Sequence, residues 1–374
     1  MSVDRRRFLE LACSAVIGTG ARHSEAVLTA QTGAPRRDVA WLQEVLQAPA
    51  DAPAPSRPLA PLLVGSAGRR ITTLDGWRRR RTEIERAWLD LLGSLDAERS
   101  EPPRVEVIAE DRDGDVDRQL VRYPVEPGLQ TEAYVLTPRQ RTGKRPGAIV
   151  FHTTTPESIR QPAGLADVRE KHFGLALARR GFVAFCPRNF LWPETTRMAA
   201  QEETRRFQSR HPRARGMAKM LFDGQVALDI LAARADVDSA RIGCIGHSLG
   251  AKQALYLGAF DLRVQTIVSS EGGIGTMMSN WDADWYLGDV IQQPGFAREH
   301  HELLALIAPR PFLLVGGDFA DGAASWPWID AALPVYQLYG APPRLGLLNH
   351  KQGHAVPPDV EPRLLEWLET YVSV

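Results

Sequence analysis

A serine set between two glycines is the first feature of this sequence that could carry chemistry. Gly246, Ser248 and Gly250 form a G-x-S-x-G pattern, with an apolar run before it and an alanine-rich run after it. A serine in a turn from strand to helix has a strained backbone, and the glycines leave room for that turn. The pattern predicts that Ser248 is a nucleophile and that the N–H of Leu249 donates to a developing oxyanion. The alternative is a chance match in an ordinary turn.

A serine hydroxyl needs a neighbouring base before it is an effective nucleophile. The segment NHKQGHAVPP, residues 349–358, offers His350 and His354 after the last strand-like run. His354, which follows a glycine and precedes two prolines, suits the loop before a C-terminal helix and is the predicted base. His350 lies nearer the strand and is interpreted as a packing residue.

A carboxylate is expected to hold the base histidine in the correct tautomer. Candidate carboxylates follow two of the predicted strands. Asp318 and Asp321 come after PFLLVGG, and Glu271 ends the strand after the nucleophile, in VSSEGGIG. We narrowly prefer Asp318, keep Glu271 as a near-equal alternative and place Asp321 third. Each of them could also be an ordinary surface carboxylate.

A second oxyanion donor is expected at the end of an earlier strand, GAIVFH, residues 147–152. The backbone N–H of Thr153 or of Thr154 follows His152 directly and is the candidate.

The order of apolar segments predicts the framework that positions these residues. Residues 104–138 alternate between apolar and polar like antiparallel strands. Continuous apolar runs then alternate with helical patterns; these runs are 147–152, 182–187, 241–246, 265–270, 311–317 and 344–349. Such alternation predicts an α/β fold with a mostly parallel sheet, helices on both faces and the antiparallel strands at one edge.

Composition excludes several classes of partner. The 374 residues carry 45 basic and 45 acidic side chains, a balance that argues against nucleic-acid binding or an anionic membrane surface. No internal apolar run approaches the ~18 residues of a membrane span. The cysteines are Cys13, Cys186 and Cys244, and the last two fall in predicted strands that another strand separates, so no disulfide is expected. No zinc-like spacing or phosphate loop occurs, and we expect no metal or cofactor.

The N-terminus has a different character from the rest of the chain. DRRRFLELACSAVIGTGA sets arginines before a short apolar run, which predicts a twin-arginine signal read by the export machinery and then removed. The alternative is an amphipathic helix with a basic start. We divide the chain into a signal segment 1–30, a linker and helical extension 31–100, and a catalytic domain 101–374. Within the extension, TLDGWRRRRTEIERAWLDLLGSL has helical spacing, and its arginine run is interpreted as a solvated face.

The order of serine, acid and histidine on this pattern resembles the α/β-hydrolase superfamily over about residues 100–374. The segments ADVDSARIGCIGHSLGAKQALYLGAFDLRV, IAPRPFLLVGG and LGLLNHKQGHAVPP are similar to exported bacterial hydrolases related to dienelactone hydrolases and acetyl xylan esterases. There is also a partial likeness to glucuronoyl esterases. Lys252, four residues after the serine, and Glu271 before a glycine-rich turn match that family. Leu249 departs from it, since the family has an arginine there that helps to hold the oxyanion.

Aromatic residues lie on the loops expected around the site, and they permit two interpretations. The residues are Trp192, Trp281, Trp285, Tyr286, Trp326 and Trp328. They could stack on a sugar or an aromatic acyl group, with Trp285 as the substrate-binding candidate, or they could form the packed core of the loops. The resemblance likewise implies a substrate or oxyanion contact for Lys252.

Together these observations predict a serine carboxylic-ester hydrolase acting through an acyl-enzyme on a small or carbohydrate-linked ester. One alternative is a peptidase of the same fold. Another is a catalytically silent binding protein that keeps the scaffold, since a fold alone does not prove a function.

Overall fold

The computed structural model describes residues 37–55, 57–65, 68–95, 101–139, 143–167 and 169–372. The expected signal segment 1–30 lies outside these residues, so the twin-arginine interpretation stays a prediction. Among the described helices, none combines the length and the apolar character needed to cross a membrane.

The strands of the described chain form a single nine-stranded sheet in the order β1-β2-β3-β5-β4-β6-β7-β8-β9. The strands are β1 (Glu106–Asp113), β2 (Val116–Glu126), β3 (Leu129–Pro138), β4 (Arg145–Phe151), β5 (Val183–Pro187), β6 (Val237–His247), β7 (Val264–Ser270), β8 (Phe312–Gly316) and β9 (Leu345–Asn349). The β1–β2, β2–β3 and β3–β5 pairs are antiparallel, and all the others are parallel. The expected parallel sheet with an antiparallel edge is confirmed.

Helices cover both faces of this sheet. They are α1 (Leu42–Val45), α2 (Leu74–Leu92), α3 (Phe173–Arg179), α4 (Ala200–Arg210), α5 (Gly216–Ala233), α6 (Leu249–Phe260), α7 (His301–Ile307), α8 (Trp326–Gln337) and α9 (Glu361–Tyr371). Short 3₁₀ helices lie at Ser158–Arg160, Gly288–Gln292 and Ala323–Ser325. Alternate residues of β4 enter separate cores, Ile149 and Phe151 on one face and Ala148 and Val150 on the other. This alternation is the period of a strand buried on both sides, which explains the continuous apolar runs.

Helix α2 packs on the main core through its apolar stripe. Trp77, Ile84 and Trp88 are fully buried. The arginine run beside them pairs largely within the helix, as with Arg78 and Asp75 at 2.6 Å. Arg78 and Arg79 lie on the outer face of the helix, as predicted. The prediction is wrong for Arg81, which is buried and donates to the Leu306 carbonyl at 3.4 Å because this side of the helix faces α7.

The parallel strands end at one edge of the sheet and bring the candidate residues to that edge. β4, β6 and β7 run into His152, Ser248 and Glu271, while the loops after β8 and β9 carry Asp318 and His354. The two described cysteines, Cys186 on β5 and Cys244 on β6, are buried and free. β4 separates them, as the predicted strand order requires.

Candidate active site

Ser248 lies in a tight turn between β6 and α6. Its backbone has φ 57° and ψ −115°, a left-handed conformation that is strained for a residue with a Cβ. The Ser248 N–H donates to the Ser270 carbonyl at 2.8 Å, which ties the turn to β7. A Cβ on Gly246 would collide with the Gly250 carbonyl, and a Cβ on Gly250 would lie 2.6 Å from the Phe151 oxygen. Both glycines are required because backbone approaches backbone here.

His354 is paired with Glu271. Its Nδ1 lies 3.1 Å from Glu271 Oε2, and the Glu271 side chain is completely buried. That carboxylate also accepts hydrogen bonds from the N–H groups of Gly317 and of Ala320, the latter at 2.8 Å. Burial alone would raise the pKa of Glu271, but the hydrogen bonds from His354, Ala320 and Gly317 outweigh it and lower the pKa. A charged carboxylate at Nδ1 keeps a proton there and leaves Nε2 of His354 able to act as a base.

The ring of His354 is held from two sides and still reaches solvent. Its centroid lies 4.7 Å from the ring of His247 and 4.8 Å from the ring of Phe319. The His354 side chain is 36% exposed, whereas His247 is buried with its Nδ1 3.0 Å from Ser270 Oγ. The His354 ring is thus oriented by packing as well as by Glu271.

The two aspartates after β8 do not contact His354. Asp318 is exposed and accepts hydrogen bonds from Asn349 Nδ2 at 2.8 Å and from the Ala323 N–H at 3.2 Å. The preference for Asp318 therefore does not fit the geometry. The physical reason is the orientation of the loop after β8. Its N–H groups at Gly317 and Ala320 point inward and donate to Glu271, whereas the Asp318 side chain points to the surface.

Asp321 is buried and forms hydrogen bonds with the loop that follows Glu271. Its carboxylate accepts hydrogen bonds from the N–H groups of Gly273 and Ile274, both at 2.7 Å, and from Ser325 Oγ at 2.8 Å. Burial raises the pKa of Asp321 in spite of these hydrogen bonds. The Asp321 side chain therefore fixes the backbone that follows Glu271, and only Glu271 forms a hydrogen bond with His354.

Lys252 lies behind the same loop and not in the cavity at Ser248. Its buried Nζ donates to the Gly272 carbonyl and, at 2.9 Å, to Ser279 Oγ, and it sits 4.4 Å from the centroid of the Trp281 ring. Burial lowers the pKa of Lys252 to about 7 even though Asp321 opposes this shift. The substrate contact that the resemblance implied does not fit this position.

The loop aromatics are packed residues. The indole N–H of Trp281 donates to the Gly273 carbonyl at 2.7 Å, and that of Trp192 to the Thr155 carbonyl at 3.1 Å; both rings are buried. Trp285 is half-buried against the core, with its ring 6.1 Å from Tyr286. Neither Trp285 nor the other tryptophans line the cavity at Ser248. The packed-core interpretation fits, and stacking of a sugar on Trp285 is not supported.

A cavity of about 480 Å³ opens above Ser248 and His354. It is lined by Thr153, Thr154, Thr155, Glu157, Gln161, Ala166, Asp167, Lys171, His247, Ser248 and His354. Most of this wall comes from the single segment that joins β4 to α3. Apart from the threonines after His152, this segment escaped the sequence reasoning because it has no periodicity and no motif. Only its charged and hydroxyl-bearing residues could have marked it as a binding wall.

The predicted oxyanion donors lie beside this cavity. Leu249 is the first residue of α6, so its N–H is one of the unpaired donors at a helix N-terminus. The Thr153 N–H donates to Gln161 Oε1 at 3.3 Å. Within the described residues, no group of His, Cys, Asp and Glu side chains is placed to hold a metal ion.

Comparison with known proteins confirms the resemblance predicted from the sequence. Residues 131–280 match the model of the dienelactone hydrolase family. The 4-O-methyl-glucuronoyl methylesterase 1 of Wolfiporia cocos is 29% identical over 157 residues, covering 33% of this chain and 38% of that protein. The 4-O-methyl-glucuronoyl methylesterase of Phanerochaete carnosa is 26% identical over 170 residues, covering 37% of this chain and 41% of that protein. The chain thus spans about two fifths of the length of these relatives.

Solved structures show the same fold. A glucuronoyl esterase from Solibacter usitatus superposes with a TM-score of 0.69 at 17% identity, covering 86% of this chain and all of that one. A glucuronoyl esterase from Teredinibacter turnerae gives 0.64 at 18% identity, covering 84% of this chain and 89% of that one. The fold is the α/β-hydrolase fold, as the sequence predicted.

Proposed function

We propose that this protein is a serine carboxylic-ester hydrolase that works through an acyl-enzyme. The observation that carries the proposal is the pairing of His354 Nδ1 with the buried Glu271 carboxylate, at a cavity that also contains Ser248 in a strained turn. Ser248 Oγ attacks the ester carbonyl while His354 Nε2 takes its proton, and Glu271 stabilises the resulting imidazolium. The Leu249 N–H stabilises the oxyanion. His354 then protonates the leaving alcohol, and water hydrolyses the acyl-enzyme by the same route.

The cavity wall supports a small, polar or carbohydrate-linked ester as substrate. Hydroxyl, amide and charged side chains line it, and Ala166 is its one residue with an apolar side chain, while polar atoms and carbon atoms cover similar areas of the wall. A long acyl chain would strip water from these groups without replacing their hydrogen bonds, which costs free energy. The relatives named as glucuronoyl methylesterases favour a sugar ester, while Leu249 in place of an arginine leaves the identity of the acyl group open.

We propose further that the chain is exported by the twin-arginine machinery, with residues 1–30 as the signal and 101–374 as the catalytic domain. The support is the run Arg5-Arg6-Arg7-Phe8-Leu9 before a short apolar stretch. Replacing Arg6 and Arg7 with lysine is expected to leave unprocessed protein in the cytoplasm of a host that has this pathway. Unchanged processing would contradict the proposal.

The test of the activity is hydrolysis of p-nitrophenyl acetate and of sugar esters by the native protein and by Ser248→Ala. We expect the variant to lose about 10⁴–10⁶-fold in kcat, as when a serine nucleophile is removed from a triad. Ser239→Ala, at an exposed serine, is the matched control and should keep full activity. Equal rates for native protein and Ser248→Ala would refute the nucleophile. Peptidase turnover without esterase turnover would favour the peptidase alternative, and ligand binding without turnover would favour the silent binding protein.

A further inference from the structure

A short segment of the chain, residues 155–161, supplies polar groups to the cavity at Ser248 that the proposed mechanism does not use. Thr155, Glu157 and Gln161 line this cavity and flank the 3₁₀ helix Ser158–Arg160. The cavity volume of about 480 Å³ falls within the range of roughly 300–1,000 Å³ that is usual for small-molecule sites. The three side chains therefore share one space with the proposed nucleophile, and that space is large enough for a ligand.

The side-chain amide of Gln161 has a fixed orientation. Gln161 is only 9% exposed, and its Oε1 accepts a hydrogen bond from the Thr153 N–H at 3.3 Å. A backbone N–H can only donate, so the amide oxygen must face Thr153 and the NH₂ group occupies the other branch of the amide. In the described part of the chain, no group accepts a hydrogen bond from Gln161 Nε2. A buried amide at a cavity wall, with its NH₂ group unused by the protein, is a donor for a ligand.

Glu157 supplies an acceptor four residues before this donor. Its Oε2 accepts a hydrogen bond from Arg160 Nε at 3.1 Å, whereas no described residue donates to its Oε1. The Glu157 N–H donates to Thr155 Oγ1 at 3.3 Å, so the hydroxyl proton of Thr155 remains able to donate. The segment thus offers an amide donor, a carboxylate acceptor and a hydroxyl. A sugar hydroxyl both donates and accepts, so neighbouring hydroxyls of one ring can use such a mixed set.

Buried contacts hold this segment in place. Trp192 Nε1 donates to the Thr155 carbonyl at 3.1 Å, and Ser158 Oγ lies 3.3 Å from His152 Nε2. Ile159, in the middle of the 3₁₀ helix, is completely buried in the core on one face of the sheet. The polar groups are therefore ordered before a ligand arrives, which reduces the entropy that binding must cost.

The other charged side chains of the wall, those of Asp167 and Lys171, do not favour an ionic ligand. Asp167 is exposed, and Lys171 pairs with the adjacent Glu170 at 3.3 Å. Their charges are opposite, so together they select neither an anion nor a cation.

We propose that Glu157 and Gln161, together with Thr155, form a subsite that binds the ring hydroxyls of a carbohydrate ester and so determines specificity. The same chemistry serves a sugar in the acyl part or in the alcohol part of the ester, and the experiment separates the two cases. This inference rests on the proposed esterase function.

The test compares each sugar ester with an ester of similar shape that lacks hydroxyls. Methyl glucuronate and methyl cyclohexanecarboxylate place the ring in the acyl part, whereas 6-O-acetylglucose and cyclohexylmethyl acetate place it in the alcohol part. We expect the native protein to favour the sugar ester of one pair by at least about 100-fold in kcat/KM, because a site built to bond hydroxyls rejects an analogue without them. The pair that shows this preference identifies the part of the ester that carries the sugar.

Glu157→Met and Gln161→Met should each lower kcat/KM for the preferred sugar ester about 10-fold and leave that for its carbocyclic partner within about twofold. Glu157→Gln keeps an acceptor oxygen and should recover part of the loss. Glu194→Met is the matched control. Glu194 forms a similar ion pair three residues along the chain, with Arg197 at 3.7 Å, but lies outside the cavity wall. It should change the turnover of neither ester.

Two results would overturn the inference. One is equal kcat/KM of the native protein for both esters of each pair. The other is a parallel loss for both esters of a pair in the Glu157 and Gln161 variants, which indicates general damage to the structure. The Glu157 side chain is 42% exposed, so Glu157→Met decides the matter even if Gln161→Met does not fold. Turnover of p-nitrophenyl acetate that depends on Ser248, without any preference for hydroxyls, would refute the subsite and leave the esterase function standing. Absence of turnover of all these esters would refute both.

Discussion

The loops after β7 and β8 carry acidic residues at the same edge of the sheet, Glu271 on the first and Asp321 on the second, yet the two side chains have different partners. The loop after β8 gives the N–H groups of Gly317 and Ala320 to Glu271. The loop after β7 gives the N–H groups of Gly273 and Ile274 to Asp321. The backbone of each loop thus donates hydrogen bonds to a carboxylate on the other loop, but only Glu271 also forms a hydrogen bond with His354. The role of an acid here is set by the donors that its neighbours turn toward it.

The electrostatics of the two carboxylates diverge in the same way. Glu271 is buried, yet the hydrogen bond from His354 and those from backbone N–H groups lower its pKa. Burial of Asp321 raises its pKa, and the nearby charge of Glu271 adds to the rise. The lowered pKa of Glu271 favours a charged carboxylate beside His354, as the proposed mechanism requires, whereas Asp321 bonds backbone N–H groups.

The largest expected effect separates the acids directly. Glu271→Gln should lower kcat about 10⁴-fold, because a neutral amide neither holds the correct tautomer of His354 nor stabilises its cation. Asp318→Asn should leave kcat nearly unchanged, because its carboxylate bonds Asn349 and Ala323. Steady-state kinetics on one ester measures both. A loss for Asp318→Asn as large as that for Glu271→Gln would reverse the assignment.

A smaller effect on kcat is expected from substitution of Asp321. Asp321→Asn places an amide NH₂ among the N–H groups of Gly273 and Ile274, so at least one hydrogen bond is lost. We expect about 2 kcal/mol less unfolding free energy, since buried donors are left unsatisfied. We also expect kcat to fall about tenfold, since small misplacements of catalytic groups slow the reaction. Urea unfolding and kinetics measure the two effects, with the exposed Asp330→Asn as control. Loss of kcat equal to that of Glu271→Gln would show that Asp321 acts on the chemistry.

Lys252→Met should have a smaller effect still on turnover. The methionine fills the space but loses the bonds to the Gly272 carbonyl and Ser279. Because Lys252 lies outside the cavity, KM should be unchanged, and kcat should fall only a few-fold through the loop beside Glu271. A large rise in KM with kcat preserved would restore the substrate contact that the resemblance implied.

The smallest effect is a pair of opposite pH dependences in stability. The pKa of Glu271 is lowered below its ordinary 4.5, so its folded state binds fewer protons than the unfolded state, and its contribution is present above pH 4.5 and lost in more acidic solution. The pKa of Asp321 is raised above its ordinary 3.8, so its contribution falls as pH rises through the raised pKa.

Urea unfolding between pH 3 and 7 measures these slopes as differences from Glu271→Gln and Asp321→Asn. The stability advantage of the native protein should grow with pH over Glu271→Gln and shrink with pH over Asp321→Asn. Slopes of the same sign would show that the two carboxylates do not differ as described.

The sequence predicts the sheet and the strand-to-helix turn at Ser248 correctly, because both depend on local patterns. Buried parallel strands need continuous apolar runs, and the turn at Ser248 needs glycines at fixed places. Which carboxylate pairs with His354 depends on the N–H groups that two loops, distant in sequence, turn inward. No local sequence pattern indicates this. Lys252 and the tryptophans have side chains suited to both binding and packing, so only the fold could place them. The cavity wall after Thr153 is an irregular segment without a periodic signal.

The most direct measurement is the covalent labelling of Ser248 by diethyl p-nitrophenyl phosphate, followed by mass spectrometry of the intact protein and its peptides. A triad of Ser248, His354 and Glu271 predicts one adduct, on Ser248. It also predicts that labelling is strongly slowed by Glu271→Gln and unaffected by Asp318→Asn. An adduct on another residue, or equal slowing by the two variants, would contradict it.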